Sequence, residues 1–186
     1  GPDARGRAVA APHGGARGET PKGECMRAVL LAGGKGTRLR PFTATIPKPL
    51  VPVGDMAIME LLLRQLAGHG CDRVTVAVGH MAQLIMAYFG DGGKWGLPID
   101  YSIEDEPLST IGPLKLIGDL PEHFLVMNGD LLTDLDMSDL YRAHVESGAV
   151  GTIATYERDV RIDFGVLRSE DGGRRVTGFV EKPVEH

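Results

Sequence analysis

The chain has 186 residues, 42% hydrophobic and 24% charged, with 25 acidic against 20 basic side chains for a formal net charge of −5. These values fit a globular chain and exclude a wholly disordered or collagen-like one, and no apolar run approaches the roughly 20 residues a membrane-spanning helix needs. The acidic balance argues against a polynucleotide partner, because nucleic-acid binders carry a basic excess or stripe. Two cysteines, Cys25 and Cys71, make neither a disulfide framework nor the CxxC spacing of a zinc site. They read as free thiols in a reducing compartment. Without an apolar secretory segment near the amino terminus, a cytoplasmic location is expected.

Residues 1–24 are rich in Gly, Ala and Pro and hold Val9 as their one large aliphatic residue. Such a segment buries too little apolar surface to offset its ordering entropy, so it reads as a flexible leader, and Gly1-Pro2 has the form of a protease scar. The domain is expected over residues 25–186. Arg27–Ala32 is a continuous apolar run, as suits a strand buried on both faces, and it ends at Gly33-Gly34. A helix over residues 58–66 would place Ile58, Leu61, Leu62 and Leu66 on one face, with Gly68 and Gly70 ending it. Val74–Val78 predicts a second strand, Met81–Phe89 a helix, and Ile99–Ile103 a strand. A short helix is expected near Ile111 or Gly112, with Pro113 in its first turn.

Phe124–Met127 predicts a fourth strand running into Asn128-Gly129-Asp130, and Ser138 is the expected cap of a helix over 139–146. Val150–Tyr156 predicts a fifth strand. Gly165–Arg168 and Arg175–Val180 flank Asp171-Gly172-Gly173, a hairpin signal. Alternating strands and helices predict an α/β fold: a three-layer, Rossmann-like, mainly parallel sheet with helices on both faces, plus a small antiparallel hairpin. Ligands in such sheets sit beyond the carboxyl ends of the strands. The loops after the strands at 26–32, 99–103 and 124–127 are therefore where chemistry is expected.

The first of these loops, Gly33-Gly34-Lys35-Gly36-Thr37-Arg38, puts three glycines and cations past a buried strand. Glycines let peptide N–H groups approach phosphate oxygens, but the spacing is neither GxxxxGK[ST] nor GxGxxG, and glycines alone equally fit an ordinary strand-to-helix turn. Further on, Ile46-Pro-Lys-Pro-Leu-Val-Pro-Val53 holds Lys48 on a stretch that proline stiffens. A held cation beside a glycine-rich cradle suits polyphosphate recognition. Arg40 fits a site cation and a solvated one equally. Met56, Met59, Met81 and Met86 read as core residues, and His80 is a weak site candidate.

Leu31-Ala-Gly-Gly-Lys-Gly-Thr-Arg-Leu-Arg-Pro41 and Pro47-Lys-Pro-Leu-Val-Pro-Val53 together resemble the signature of the sugar nucleotidyltransferases, the nucleoside-diphosphate-sugar pyrophosphorylases. The later landmarks follow in order: Glu104 to Leu114, Asn128-Gly-Asp130, Phe164-Gly-Val166 and Glu181-Lys-Pro183. The resemblance covers Met26 to about Pro183. Its Pro-Lys-Pro-Leu-Val-Pro-Val form looks closer to the mannose- and heptose-1-phosphate guanylyltransferases than to the thymidylyltransferases. It implies an enzyme that joins a nucleoside triphosphate to a sugar 1-phosphate, releasing pyrophosphate, by in-line attack at the α-phosphorus.

The roles it implies fall residue by residue. Leu31, Ala32, Gly33, Gly34, Gly36, Thr37, Arg38 and Gly112 bind the nucleotide. Arg38 faces the departing pyrophosphate, Lys48 touches the reacting phosphate, and Asp130 is catalytic as a ligand of Mg²⁺. Gly165, Glu181 and Lys182 hold the sugar phosphate, with the Glu181 carboxylate on sugar hydroxyls. The implied partners are the two substrates, nucleoside triphosphate and sugar 1-phosphate; charge and composition point to no nucleic acid and no membrane, and a homo-oligomer is left open.

Two departures stand out. Where the family usually has Gly-Thr-Ala-Gly-Ala-Leu against the base, this chain has Ser109-Thr-Ile-Gly-Pro-Leu114, so a reshaped base pocket is expected. The family's fold also normally continues past Glu-Lys-Pro with further sheet and helix and another metal-binding aspartate, so the carboxyl-terminal part of the fold is expected to be missing here. Both departures motivate an alternative, a non-catalytic nucleotide-binding or regulatory module. A dinucleotide-dependent oxidoreductase has little support, because the fingerprint spacing is wrong.

Overall fold

The computed structural model describes residues 26–34, 36, 39, 41–106, 108–156, 160, 161, 163–182, 184 and 185. In chain order its elements are β1 (Met26–Ala32), β2 (Pro52–Val53), β3 (Met56–Ala57), α1 (Ile58–Gly68), β4 (Cys71–Val78), α2 (Ala82–Phe89), β5 (Ile99–Ile103), β6 (Leu125–Asn128), α3 (Met137–Ser147), β7 (Val160–Arg161), β8 (Val166–Glu170), β9 (Arg175–Val180) and β10 (Val184–Glu185). The chain forms two compact units, one ending at Val150 and the other beginning at Gly151.

The first unit is built on a parallel four-stranded sheet in the order β5-β4-β1-β6. Apolar runs make this possible: β1 and most of β4 are buried on both faces, as the central strands of a parallel sheet must be. On one face Ala28, Leu30, Val74 and Val76 form a core with Met59, Leu62, Leu63 and Leu66 of α1, Ile85 and Phe89 of α2, and Met137 and Tyr141 of α3. Each of these side chains removes apolar surface from water, worth about 1.5–3 kcal/mol for a large residue.

On the other face lies the connection from β5 to β6, which contains a 3-10 helix, Gly112–Leu116. Arg27 fastens it to the sheet. Its guanidinium donates to the Asp119 carbonyl (2.7 Å), to the Asp119 carboxylate (2.9 and 3.1 Å) and to Thr75 Oγ1 (2.8 Å). That contact also holds the Asp119 carboxyl below its usual range. Cys71 is buried at the start of β4, and burial pushes its thiol up to about 11, far from reactive thiolate.

The sheet and helices lie close to their expected places, with three differences. In α1 the buried stripe is Met59, Leu62, Leu63 and Leu66, while Ile58 and Leu61 are only half-buried. The helix is thus rotated relative to the expected face, since both stripes obey the 3.6-residue period. The cap of α3 is Asp136: its Oδ1 accepts from the N–H groups of Ser138 (2.9 Å) and Asp139 (3.1 Å). A carboxylate there also suits the positive end of the helix dipole, and Ser138 donates its hydroxyl to the same oxygen.

Third, Val150–Tyr156 is not a strand. It has no ladder partner among the described residues, and Val150, Ile153 and Tyr156 are exposed. Alternating apolar residues pair only where a neighbouring strand offers its backbone groups.

The second unit holds the antiparallel hairpin β8–β9, whose turn uses positive φ at Asp171, Gly172 and Gly173, as expected, and a two-residue pairing of β7 with β10. Among the described residues no helix is long and apolar enough to cross a membrane.

Candidate nucleotide site

The carboxyl ends of β1, β5 and β6 open onto a cleft of about 490 Å³. Three loops build it. After β1, Gly33 lies so close to Glu104 that a Cβ there would stand 2.5 Å from Glu104 Oε1, and Gly79 approaches the Gly33 backbone, its own added Cβ 3.3 Å from the Gly33 carbonyl oxygen. A side chain at Gly33 would push the Glu104 carboxylate aside, and one at Gly79 would crowd the Gly33 carbonyl. Gly36 adopts φ +58°, and Thr43 donates its hydroxyl to the Gly36 carbonyl (2.7 Å). This bond ties the glycine loop to residues 43–48. The proline-flanked stretch then turns as a 3-10 helix, Lys48–Leu50, with Pro47 and Pro49 buried on either side of the lysine.

Lys48, so held, reaches across to the third loop. Its ammonium pairs with the Asp130 carboxylate, both side chains being partly exposed to the cleft. Asp130 follows Gly129, whose N–H donates to the Leu31 carbonyl (2.9 Å) and so carries the β1–β6 pairing one residue past β6. The second loop begins at Glu104, whose N–H donates to the Val78 carbonyl (2.8 Å) and whose Oε2 accepts the Leu108 N–H (3.3 Å). It continues through Ser109, at φ +66°, to Pro113, which is buried.

Of the residues predicted from sequence, Leu31, Ala32, Gly33, Gly34, Gly36, Lys48 and Asp130 line this one cleft. Gly112 lies behind the lining: an added Cβ would stand 2.6 Å from Leu108 Cβ, so its smallness serves packing of the loop. Thr37, Arg38, Lys35 and Arg40 lie outside the described residues. Gly165, Glu181 and Lys182 belong to the second unit. There Gly165 packs on the Phe179 ring, with the place of its Cβ 3.2 Å from Glu181 Oε2, and Lys182 takes φ +46°. Gly165 and Glu181 are therefore neighbours.

Sequence reasoning missed Glu104 as a lining residue. It marked the start of a landmark, but the available signal was stronger: it is the first residue beyond the carboxyl end of β5. Leu108, Thr110 and Asn128 also line the cleft.

Among the described residues the cleft offers a glycine-rich backbone, a held cation and a carboxylate at the β6 end, and a second carboxylate at the β5 end. Among the described residues no three His, Cys, Asp or Glu side chains gather as a metal cage. A lone Asp130 nonetheless suits a hard cation that takes one or two carboxylates and completes its shell with phosphate oxygens and water.

The model of the family described as "Nucleotidyl transferase" matches residues 27–186. The UTP–glucose-1-phosphate uridylyltransferase of Synechocystis sp. is 40% identical over 174 residues, covering 86% of this chain and 45% of that protein. The mannose-1-phosphate guanyltransferase of Yarrowia lipolytica is 34% identical over 165 residues, covering 86% of this chain and 46% of that one. The chain thus spans about half the length of these curated relatives. Among solved structures, HddC from Yersinia pseudotuberculosis complexed with GMP-PN is similar at 26% identity and a TM-score of 0.55, over 86% of this chain and 75% of that one. The order of the sheet, the position of the glycine loop and the match to the family model agree: the chain belongs to the nucleotidyl transferase family.

Proposed function

We propose that the cleft binds a nucleoside triphosphate, and that the protein joins it to a sugar 1-phosphate to give an NDP-sugar and pyrophosphate. The observation that carries this reading is the Lys48–Asp130 pair facing the glycine loop across one cleft. Named relatives support it: one transfers a uridylyl group to glucose 1-phosphate and another a guanylyl group to mannose 1-phosphate, so the reaction is common to them and the base is not.

In this reading a sugar-phosphate oxygen attacks the α-phosphorus, the bond from that phosphorus to the bridging oxygen breaks, and pyrophosphate leaves with the electron pair. The enzyme positions the reactants and offsets developing charge. Gly33, Gly34 and Gly36 let main-chain N–H groups reach phosphate oxygens. Lys48 supplies a fixed positive charge at the reacting phosphate, and Arg38 faces the pyrophosphate. Asp130 would hold Mg²⁺, which when bound draws charge from the phosphate oxygens. Glu181 takes sugar hydroxyls and Lys182 the sugar's phosphate.

Pyrophosphate release over panels of triphosphates and sugar 1-phosphates tests this reading. One pair should turn over, and Asp130→Asn should lose at least about a hundredfold in rate, as for loss of a charge that stabilises the transition state. Near-native turnover by Asp130→Asn, or silence across the panel, would overturn it.

A further inference from the structure

Gly36 takes φ +58° and lines the cleft. With no Cβ, glycine tolerates more backbone conformations than any other residue, so the peptide that follows it can turn over at little steric cost. A trans peptide points its N–H opposite to its C=O. One orientation of this peptide offers the cleft a donor, and the other offers it a carbonyl oxygen. In a cleft that takes a polyphosphate the donor suits the anion, whereas the carbonyl sets the negative end of a dipole against it.

Thr43 holds that carbonyl. Its hydroxyl donates to the Gly36 oxygen (2.7 Å), and the Leu39 N–H donates to the same oxygen (3.0 Å). Both acceptor positions of the carbonyl are thus occupied. Thr43 is 3% exposed, lies in the short 3-10 helix Phe42–Ala44 and stands outside the residues that line the cleft. The Gly36 carbonyl therefore points into the protein. The fit is close: a Cβ on Gly36 would stand 3.0 Å from Thr43 Cγ2, 3.3 Å from Thr43 Cβ and 3.4 Å from Lys48 Cβ. The glycine loop meets Thr43 and the stem of Lys48 at this one point. There the Thr43 methyl sets the distance, and the hydroxyl sets the direction of the peptide.

We propose that Thr43 is a positioning residue for the triphosphate: its hydroxyl keeps the Gly36 carbonyl out of the cleft and leaves the opposite side of that peptide to the phosphates. The proposal rests on the nucleotide-binding reading of the cleft. Thr43 itself touches no substrate. Without the hydroxyl, one of the two bonds to the carbonyl is lost and the turned-over peptide gains population. Apparent affinity then falls with the fraction of loop that is competent to bind.

Calorimetric titration with GTP, UTP, ATP and CTP in the presence of Mg²⁺ identifies the triphosphate that the unaltered chain takes. The same titration on Thr43→Val, Thr43→Ser and Thr43→Ala tests the proposal. Thr43→Val removes the hydroxyl at nearly constant volume, and Thr43→Ala differs from Thr43→Ser by the hydroxyl alone. Each removal should weaken the triphosphate at least about fivefold, while Thr43→Ser stays within about twofold of the unaltered chain. A packing role would follow the methyl instead, weakening Thr43→Ser and sparing Thr43→Val. Should thermal melts show that Thr43→Val does not fold, the comparison of Thr43→Ala with Thr43→Ser decides. Undiminished binding by Thr43→Val, or equal binding by Thr43→Ser and Thr43→Ala, would overturn the proposal alone. Failure of every triphosphate to bind the unaltered chain would overturn both it and the nucleotide-binding reading.

Discussion

Individual side chains in this chain act through what the fold sets beside them. Glu60, on α1, is a buried acid. It accepts from Arg64 Nε (3.1 Å) and Nη2 (2.7 Å) and from the Tyr88 hydroxyl (3.3 Å). The Arg64 hydrogen bonds hold its carboxyl below the ordinary 4.5, and burial opposes them only in part. A depressed acid contributes stability above its unfolded pKa and loses it as pH falls through the folded value. Glu60→Gln should therefore lower Tm by about 2–4 °C at pH 7, with the gap closing below pH 4. Thermal melts over that range check it, and a gap that is the same at pH 3 as at pH 7 would contradict it.

The same dependence on neighbours explains which site residues could be read in advance. Lys48 and Asp130 stand in motifs on loops that follow apolar strands, so their place in the cleft was legible. Glu104 became a candidate only once β5 was known to lie two strands from β1, so that its carboxylate meets Gly33. The Asp136 cap was missed for a related reason: Asp and Ser are both good caps, and only the helix start distinguishes them.

Elements divide by how much of their partner the sequence contains. An apolar run of strand length announces a strand, which is why β1, β4, β5 and β6 fell within a few residues of expectation, although only β1 and most of β4 are buried on both faces. The β8–β9 hairpin was legible from its Asp-Gly-Gly turn. Val150–Tyr156 carries strand-like alternation too, but alternation is only half of a strand, and the other half is a neighbour's backbone.

Glycine marks the turns that set strand ends. Gly92, between α2 and β5, has φ +83°, and an added Cβ would overlap the Leu97 carbonyl and stand 2.7 Å from Ile99 Cγ1. Gly96 has φ +68° with open space around it. Gly92→Ala should cost about 3 kcal/mol or more in urea unfolding, and Gly96→Ala only about 1 kcal/mol. Equal costs would mean that the backbone angle alone, and not the close approach of β5, governs this turn.

Across the whole molecule, an acidic chain of net charge −5 is proposed to bind a polyanion. Average charge therefore cannot drive the binding; local placement must. In that proposal the glycine loop and a proline-braced Lys48, set at the carboxyl ends of a parallel sheet, act at short range through main-chain N–H groups and a held cation. The family assignment was legible because five motifs occur in order, and the match over residues 27–186 agrees with it.

The central claim is that this cleft holds a nucleoside triphosphate through Lys48. Its most direct test is calorimetric titration of the unaltered chain and of Lys48→Met with each of GTP, UTP, ATP and CTP in the presence of Mg²⁺. One triphosphate should bind at a single site, with an affinity that falls at least about tenfold in Lys48→Met, as for loss of one charged contact of about 1.4 kcal/mol or more. Undiminished triphosphate binding by Lys48→Met, or no triphosphate binding by the unaltered chain, would contradict it.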